Sequence, residues 1–112
     1  MIVLDFLGST EIFDEIRESV RNELGRLLGL RSDAITMRHV VTEGGADAAE
    51  LWVELSSEEQ VFRRGREIAA ALTGVVRIHT DADVWVLFRV VPLSHAFLNG
   101  EARARGRLAG DA

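Results

Sequence analysis

Ile2-Val3-Leu4-Asp5-Phe6-Leu7-Gly8-Ser9-Thr10 opens the chain, and Glu50-Leu51-Trp52-Val53-Glu54-Leu55-Ser56-Ser57-Glu58-Glu59-Gln60 opens its second half. Each stretch is a strand-length apolar or alternating run that ends in a helix-start signal. In the first, Gly8-Ser9-Thr10 breaks the run and supplies an N-cap. In the second, Ser56 with Glu59 and Ser57 with Gln60 make overlapping capping boxes. Leu51, Val53 and Leu55 face one way there, and Glu50, Trp52 and Glu54 the other. The two stretches predict one unit written twice: strand, helix, strand, then strand, helix, strand.

The rest of the chain fills in that order. Ile12, Ile16, Val20, Leu24 and Leu28 recur every four residues, an apolar stripe along a first helix. Glu11, Asp14 and Glu15 sit in its first turns, near the positive end of the helix dipole. Gly29 is the expected stop. Ala34 to Thr42 alternates and is read as the second strand, with a turn at Glu43-Gly44-Gly45-Ala46-Asp47. Val61, Ile68 and Leu72 mark the second helix. Thr73-Gly74 is expected to end it, with Val75 to Ile78 as a short extended piece. Val84 to Val91 is the last strand, ended by Pro92, which lacks the amide a ladder needs.

With 112 residues the chain fits one domain with one core. The expected boundaries are a single domain over residues 1–101 and a flexible basic tail over 102–112, carrying Arg103, Arg105 and Arg107 among small residues. A net charge of −5 argues against nucleic acid or an anionic membrane surface as partner. No cysteine is present, which removes disulfides and thiolate chemistry and fits a reducing cytoplasm. The N-terminal stretch has Asp5 and no basic lead, unlike a signal peptide, and the longest apolar runs are of strand length.

One fold with this element order is the ferredoxin-like split unit. Another gives each half a parallel strand pair and buries the far sheet face in an oligomer. By alternation that far face carries Val3, Asp5, Leu7, Arg38, Glu50, Trp52, Glu54, Trp85, Leu87 and Arg89. Large apolar groups mixed with both charge signs suit an assembly interior better than water. The expectation is an α+β, two-layer β-α-β-β-α-β domain with a pseudo-two-fold repeat, assembled as a homotrimer.

Asp83-Val84-Trp85-Val86-Leu87-Phe88, followed by Asn99-Gly100-Glu101, resembles the end of a tautomerase-like family of unknown function within the macrophage-migration-inhibitory-factor superfamily. Val53-Glu54-Leu55 with Ala69, and Leu4, Phe6 and Gly8, are similar to that family as well. Leu24 leading to Ile35 matches in pattern, and the likeness spans about residues 1–101. The resemblance implies a tautomerase-like fold. The departures bear on activity. The superfamily's base is a proline directly after the initiator Met; here that position is Ile2, and the one proline is Pro92. The family's aromatic pair is reduced to Ala96-Phe97. Its aromatic and Asp-Arg-Gly segment is replaced by Ser-Ser-Glu-Glu-Gln-Val from Ser56 to Val61.

The site candidates follow from these departures. A bulky Ile2 hinders removal of Met1, which leaves the Met1 primary amine as the one candidate catalytic group. Primary α-amines are mostly protonated near neutral pH and make poor general bases there. Arg38 either holds a small carboxylate by a bidentate contact or pairs across subunits with Asp5 or Glu54, the simpler of the two. Phe97, Asn99 and Gly100 read as a capping turn over a neighbouring subunit, and Phe97 and Asn99 join Arg38 as candidate ligand-binding residues. His39, His79 and His95 lack metal-ligand spacing, so no metal or cofactor is expected. Ser9, Ser19, Ser32 and Ser94 lack a nucleophile elbow. Gly44-Gly45 lacks the helix and Lys of a phosphate loop. Arg63, Arg64 and Arg66 read as a solvated face balanced by Glu58, Glu59 and Glu67. The functional expectation is a tautomerase-like, non-catalytic binding or structural module. The alternatives are a weak tautomerase acting on small keto-enol acids, through the Met1 amine or a side-chain carboxylate, and a ferredoxin-like ligand-binding or assembly domain.

Overall fold

In a computed structural model, which describes residues 1–42 and 48–108, strand β1 (Ile2–Leu7) lies inside a four-stranded sheet. It pairs in parallel with β2 (Ile35–Val40), from Ile2 opposite Ile35 to Leu7 opposite Val40. On its other edge it pairs antiparallel with β3 (Ala48–Leu55), which places Asp5 opposite Trp52 and Val3 opposite Glu54. Strand β4 (Asp83–Val90) runs parallel to β3, and the sheet order is β2-β1-β3-β4. Each strand–helix–strand half is thus a parallel pair, and the halves join at β1 and β3. A ferredoxin-like unit separates the two strands of each half with another strand, so that alternative is excluded. The turn expected at Glu43 to Asp47 lies outside the described residues.

Helix α1 (Thr10–Leu28) starts where Ser9 accepts the Ile12 amide on its hydroxyl at 3.2 Å. It stops at Gly29, whose φ of +67° is left-handed. Ile16, Val20, Leu24 and Leu28 of the stripe are buried, and Ile12 packs at its margin. Residues 32–34 form a single 3₁₀ turn, so the second strand begins at Ile35. Helix α2 (Glu58–Val76) is capped by Ser57, which accepts the Gln60 amide at 3.2 Å. Ser56 accepts on its hydroxyl from the side-chain Nε2 of Gln60, in place of the contact expected with Glu59.

α2 does not end at Thr73-Gly74, and Val75 to Ile78 is not extended. The helix continues to Val76, which is fully buried. Glycine in an exposed helix position costs about 1 kcal/mol relative to alanine, whereas burying a valine side chain gains about 1.5–3 kcal/mol. Packing at Val76 therefore overrides the breaker at Gly74.

Both helices cover one sheet face. Ile2, Leu4, Phe6, Ile35, Leu51, Val53 and Leu55 meet Ile16, Val20, Leu24, Ile68, Leu72 and Val76 there. The other face is bare of helices, and no described helix is long and apolar enough to cross a membrane. After β4, the Val91 amide donates to the Leu55 carbonyl at 2.9 Å. Pro92 then starts a 3₁₀ turn at Leu93–His95. A hairpin follows, β5 (Phe97–Leu98) against β6 (Glu101–Ala102). Its two loop residues, Asn99 and Gly100, have φ of +53° and +84°, the backbone of a tight two-residue turn.

The expected frayed end gives way, through Leu108, to a packed segment. The Gly106 amide donates to the Met1 carbonyl at 2.8 Å, and the Ser56 amide donates to the Gly106 carbonyl at 3.2 Å. Leu108 is buried in the core. Leu108 is also the one large apolar residue after Leu98, and the pull of core burial on it outweighs the entropy of a free end.

Leu24 is fully buried in mid-stripe of α1. Leu24→Ala is expected to destabilise the fold by about 2–5 kcal/mol. Chemical denaturation is the check, and an unchanged midpoint would contradict this helix phase.

Candidate functional site

The charged groups of the far sheet face arrange themselves around two buried carboxylates. Asp5 sits at the middle of β1 and Glu54 near the end of β3, both close to fully buried. Arg38, opposite Asp5 on β2, donates to it through Nε at 2.5 Å and Nη2 at 3.0 Å. Arg89 on β4 adds a contact at 3.4 Å and lays its guanidinium 5.4 Å over the Trp52 ring. The Trp52 indole N–H in turn donates to Glu50 at 3.3 Å. Burial alone pushes the Asp5 carboxyl up. The bonds and charges of Arg38 and Arg89 together outweigh burial and hold it below the ordinary range.

Glu54 takes its partner from the C-terminal segment. Arg105 donates Nε to Glu54 at 2.5 Å and Nη2 at 2.8 Å, a bidentate fork. That bond is the main cause of a lowered Glu54 carboxyl; burial opposes it, and the charge of Arg105 adds to it. The same contact pushes the Arg105 guanidinium further up.

Glu54 and Arg105 border a cavity of about 620 Å³ beside the start of β1, a volume ordinary for small-molecule sites. Met1 forms one side. Val91, His95 and Ala96 follow from the end of β4 and the 3₁₀ turn. Phe97 and Leu98 come from the hairpin, and Arg103, Ala104 and Arg105 from the C-terminal segment. A second, more open depression over Ser56 to Glu58 and Val90 to Pro92 adjoins it at Val91 and His95. Met1 is 60% exposed and Phe97 66%, so the apolar groups of the first cavity are open to solvent in the single chain. Among the described residues, the Arg103 side chain has no hydrogen bond or ion pair, unlike Arg38 and Arg105.

The four residues singled out from the sequence part company here. Met1 and Phe97 meet in the cavity. Arg38 lies on the sheet, engaged by Asp5 of its own chain. Asn99 sits at the hairpin turn and does not line the cavity. The sequence reading missed Arg103 and Arg105 because it took their segment for solvent-exposed tail. One signal pointed to them: the apolar Leu108 beyond them. The histidines stay apart. His39 meets the Gly8 carbonyl at 2.9 Å and stacks on Phe13, His79 contacts Glu15 at 2.9 Å, and His95 bonds Ser94. Arg64 is engaged by Glu67 and by the Leu27 carbonyl, and Arg63 lies 3.9 Å from Glu59.

The strand order, the helices on one face and the cavity at the start of β1 define a tautomerase-like fold. No protein-family model matches the chain, and no curated protein matches it significantly. Solved structures do. A protein of unknown function from Vibrio cholerae is 22% identical over 91% of this chain and 87% of its own, with a TM-score of 0.77. A domain of unknown function (DUF1904) from Sebaldella termitidis is 21% identical over 89% and 97%, at 0.70. A macrophage migration inhibitory factor-like protein from Entamoeba histolytica is 11% identical over 91% and 96%, at 0.65. Identities this low show the shared fold and leave the activity to be argued from the site.

Asp5 and Glu54 have carboxyls held below their ordinary values of 3.8 and 4.5. A depressed folded-state value adds stability that is complete above the ordinary value and is lost as pH falls through the folded one. Stability is therefore expected to hold steady above those values and to decline below them. Urea midpoints measured across that range should show a shallower acid decline in Glu54→Gln than in the unchanged chain. Parallel acid limbs would contradict the assignment.

Proposed function

We propose that this chain is a non-catalytic, tautomerase-like module that assembles as a homotrimer and holds a small carboxylate in the Met1 cavity. The observation that carries the reading is Arg103, a guanidinium that has no side-chain partner among the described residues and stands at the wall of a cavity otherwise rich in apolar groups. A carboxylate offers such a group a bidentate contact, and Val91, Phe97 and Leu98 suit an apolar body attached to it. The carboxylate role expected of Arg38 passes to Arg103, because Arg38 already holds Asp5.

Two features support the absence of catalysis. Ile2, at the position where the resembled family carries its proline, is fully buried and built into the ladder opposite Ile35. Glu54, the carboxylate at the cavity, is held ionised by Arg105, which makes it a weak proton acceptor. The trimer rests on the far face, where Trp85 is 60% exposed beside Trp52, Leu87 and half-exposed Arg38 and Arg89. Such a patch favours cover by further copies of the chain.

A keto–enol assay with phenylpyruvate, on protein whose N-terminus has been verified by mass, is expected to give no rate above buffer. Turnover abolished by acetylating the N-terminal amine would instead make Met1 a catalytic base and favour the weak-tautomerase reading. Calorimetric titration with 3-phenylpropanoate, which cannot enolise, is expected to show binding that Arg103→Ala removes. The uncharged 3-phenylpropanol is expected not to bind. Light scattering should return three times the 12.4 kDa chain mass; a stable monomer at micromolar concentration would remove the trimer.

A further inference from the structure

The segment after the hairpin is fixed at four residues, Arg103, Arg105, Gly106 and Leu108, by backbone and side-chain bonds. The Arg103 amide donates to the Ala96 carbonyl at 2.9 Å. Arg105 grips Glu54 by its bidentate fork. Gly106 bonds Met1 through its amide and Ser56 through its carbonyl. The Leu108 amide donates to the side-chain oxygen of Gln60 at 2.8 Å, and Gln60 is itself buried. Gly106 has a φ of +72°, and a Cβ there would come within 2.5 Å of the Glu54 carbonyl oxygen. Backbone meets backbone at that point, so no other residue fits without moving the segment.

We propose that residues 103–108 are a strap whose docking builds one wall of the Met1 cavity. Glu54 and Gly106 are its positioning residues, and strap docking is linked to occupancy of the cavity. Three wall residues, Arg103, Ala104 and Arg105, belong to the strap. With the strap undocked the cavity loses both guanidiniums, and Glu54 becomes a carboxylate without its bidentate partner. Any ligand that binds the walled cavity better than the open one must favour docking by the same factor that docking favours binding. The occupancy half rests on the carboxylate reading above; the docking half does not.

Trypsin cleaves after arginine, and cleavage after Arg103 reports how often the strap opens. The variants are Glu54→Gln, Gly106→Ala, Arg105→Gln and Arg105→Lys, each in the full chain. Cleavage is followed by intact mass, with helical circular dichroism as the check on folding. Glu54→Gln, Gly106→Ala and Arg105→Gln are expected to be cut several-fold faster than the unchanged chain. Arg105→Lys, which keeps the charge but not the two-pronged contact, should recover part of the protection. Saturating 3-phenylpropanoate should slow cutting of the unchanged chain. Equal cleavage rates in Glu54→Gln and the unchanged chain would overturn the docking role, and so would a failure of lysine to rescue. Binding of the probe without slower cutting would overturn the linkage. If the probe does not bind at all, the carboxylate reading and the linkage fall, and the ranking of the variants still decides the docking role. Should Gly106→Ala fail to fold, the Glu54 and Arg105 variants carry that same decision.

Discussion

Two carboxylates placed on the middle strands of a sheet govern this structure. Asp5 and Glu54 are both buried, on neighbouring strands, on the face that no helix covers. A buried charge is tolerable only with partners that replace its lost hydration. The chain supplies them from three separate elements: Arg38 from β2, Arg89 from β4 and Arg105 from beyond the hairpin. The first two tie the outer strands to the central pair by side chains, in addition to the backbone ladders. The third draws the C-terminal segment back over the start of the chain. Because Glu54 sits beside the cavity, the same neutralisation that makes the sheet tolerable also decides what chemistry the cavity can offer.

That arrangement explains why the fold and the site differ in how readable they are. Ser9, Gly29 and Ser57 are local signals, and each acts where it stands. The apolar stripe of α1 and the alternation of β3 reflect two-sided environments, so periodicity alone assigns their faces. The element order follows, and with it the parallel halves. Gly74 misleads because a local breaker competes with a buried valine two positions on, and the size of that burial is not visible locally. The cavity was harder still. Its walls come from the chain start, the end of β4, the hairpin and the last described residues. No spacing rule links residues so far apart. Met1 and Phe97 came through the family resemblance, whereas Arg103 and Arg105 sit in a stretch whose composition reads as tail.

The contrast between fold and site also runs through the similar structures. A TM-score of 0.77 at 22% identity means that the packing pattern survives the replacement of most side chains. Core positions accept many apolar residues of suitable volume. A cavity bordered by a fork of Arg105 on Glu54, with Ile2 buried beside it, is set by a few side chains. The fold can therefore be shared with enzymes and non-enzymes alike.

The hydrogen bond from Gly106 to Met1 carries a consequence for how the molecule is made. The Met1 carbonyl waits for the amide of Gly106, far downstream in the sequence. Chains grow from the N-terminus, and their domains can begin to fold as they emerge. The two strand–helix–strand halves can form in that order, each from residues close in sequence. The cavity cannot, because three of its wall residues, Arg105 the partner of Glu54 among them, follow both halves in the sequence. Until residue 108 is free of the ribosome, a folded sheet would carry a carboxylate without its arginine, and Met1 would lie uncovered. The finished pocket thus reports that residues 103–106 have been made: a chain cut short after the hairpin has every described strand and helix and still lacks the site.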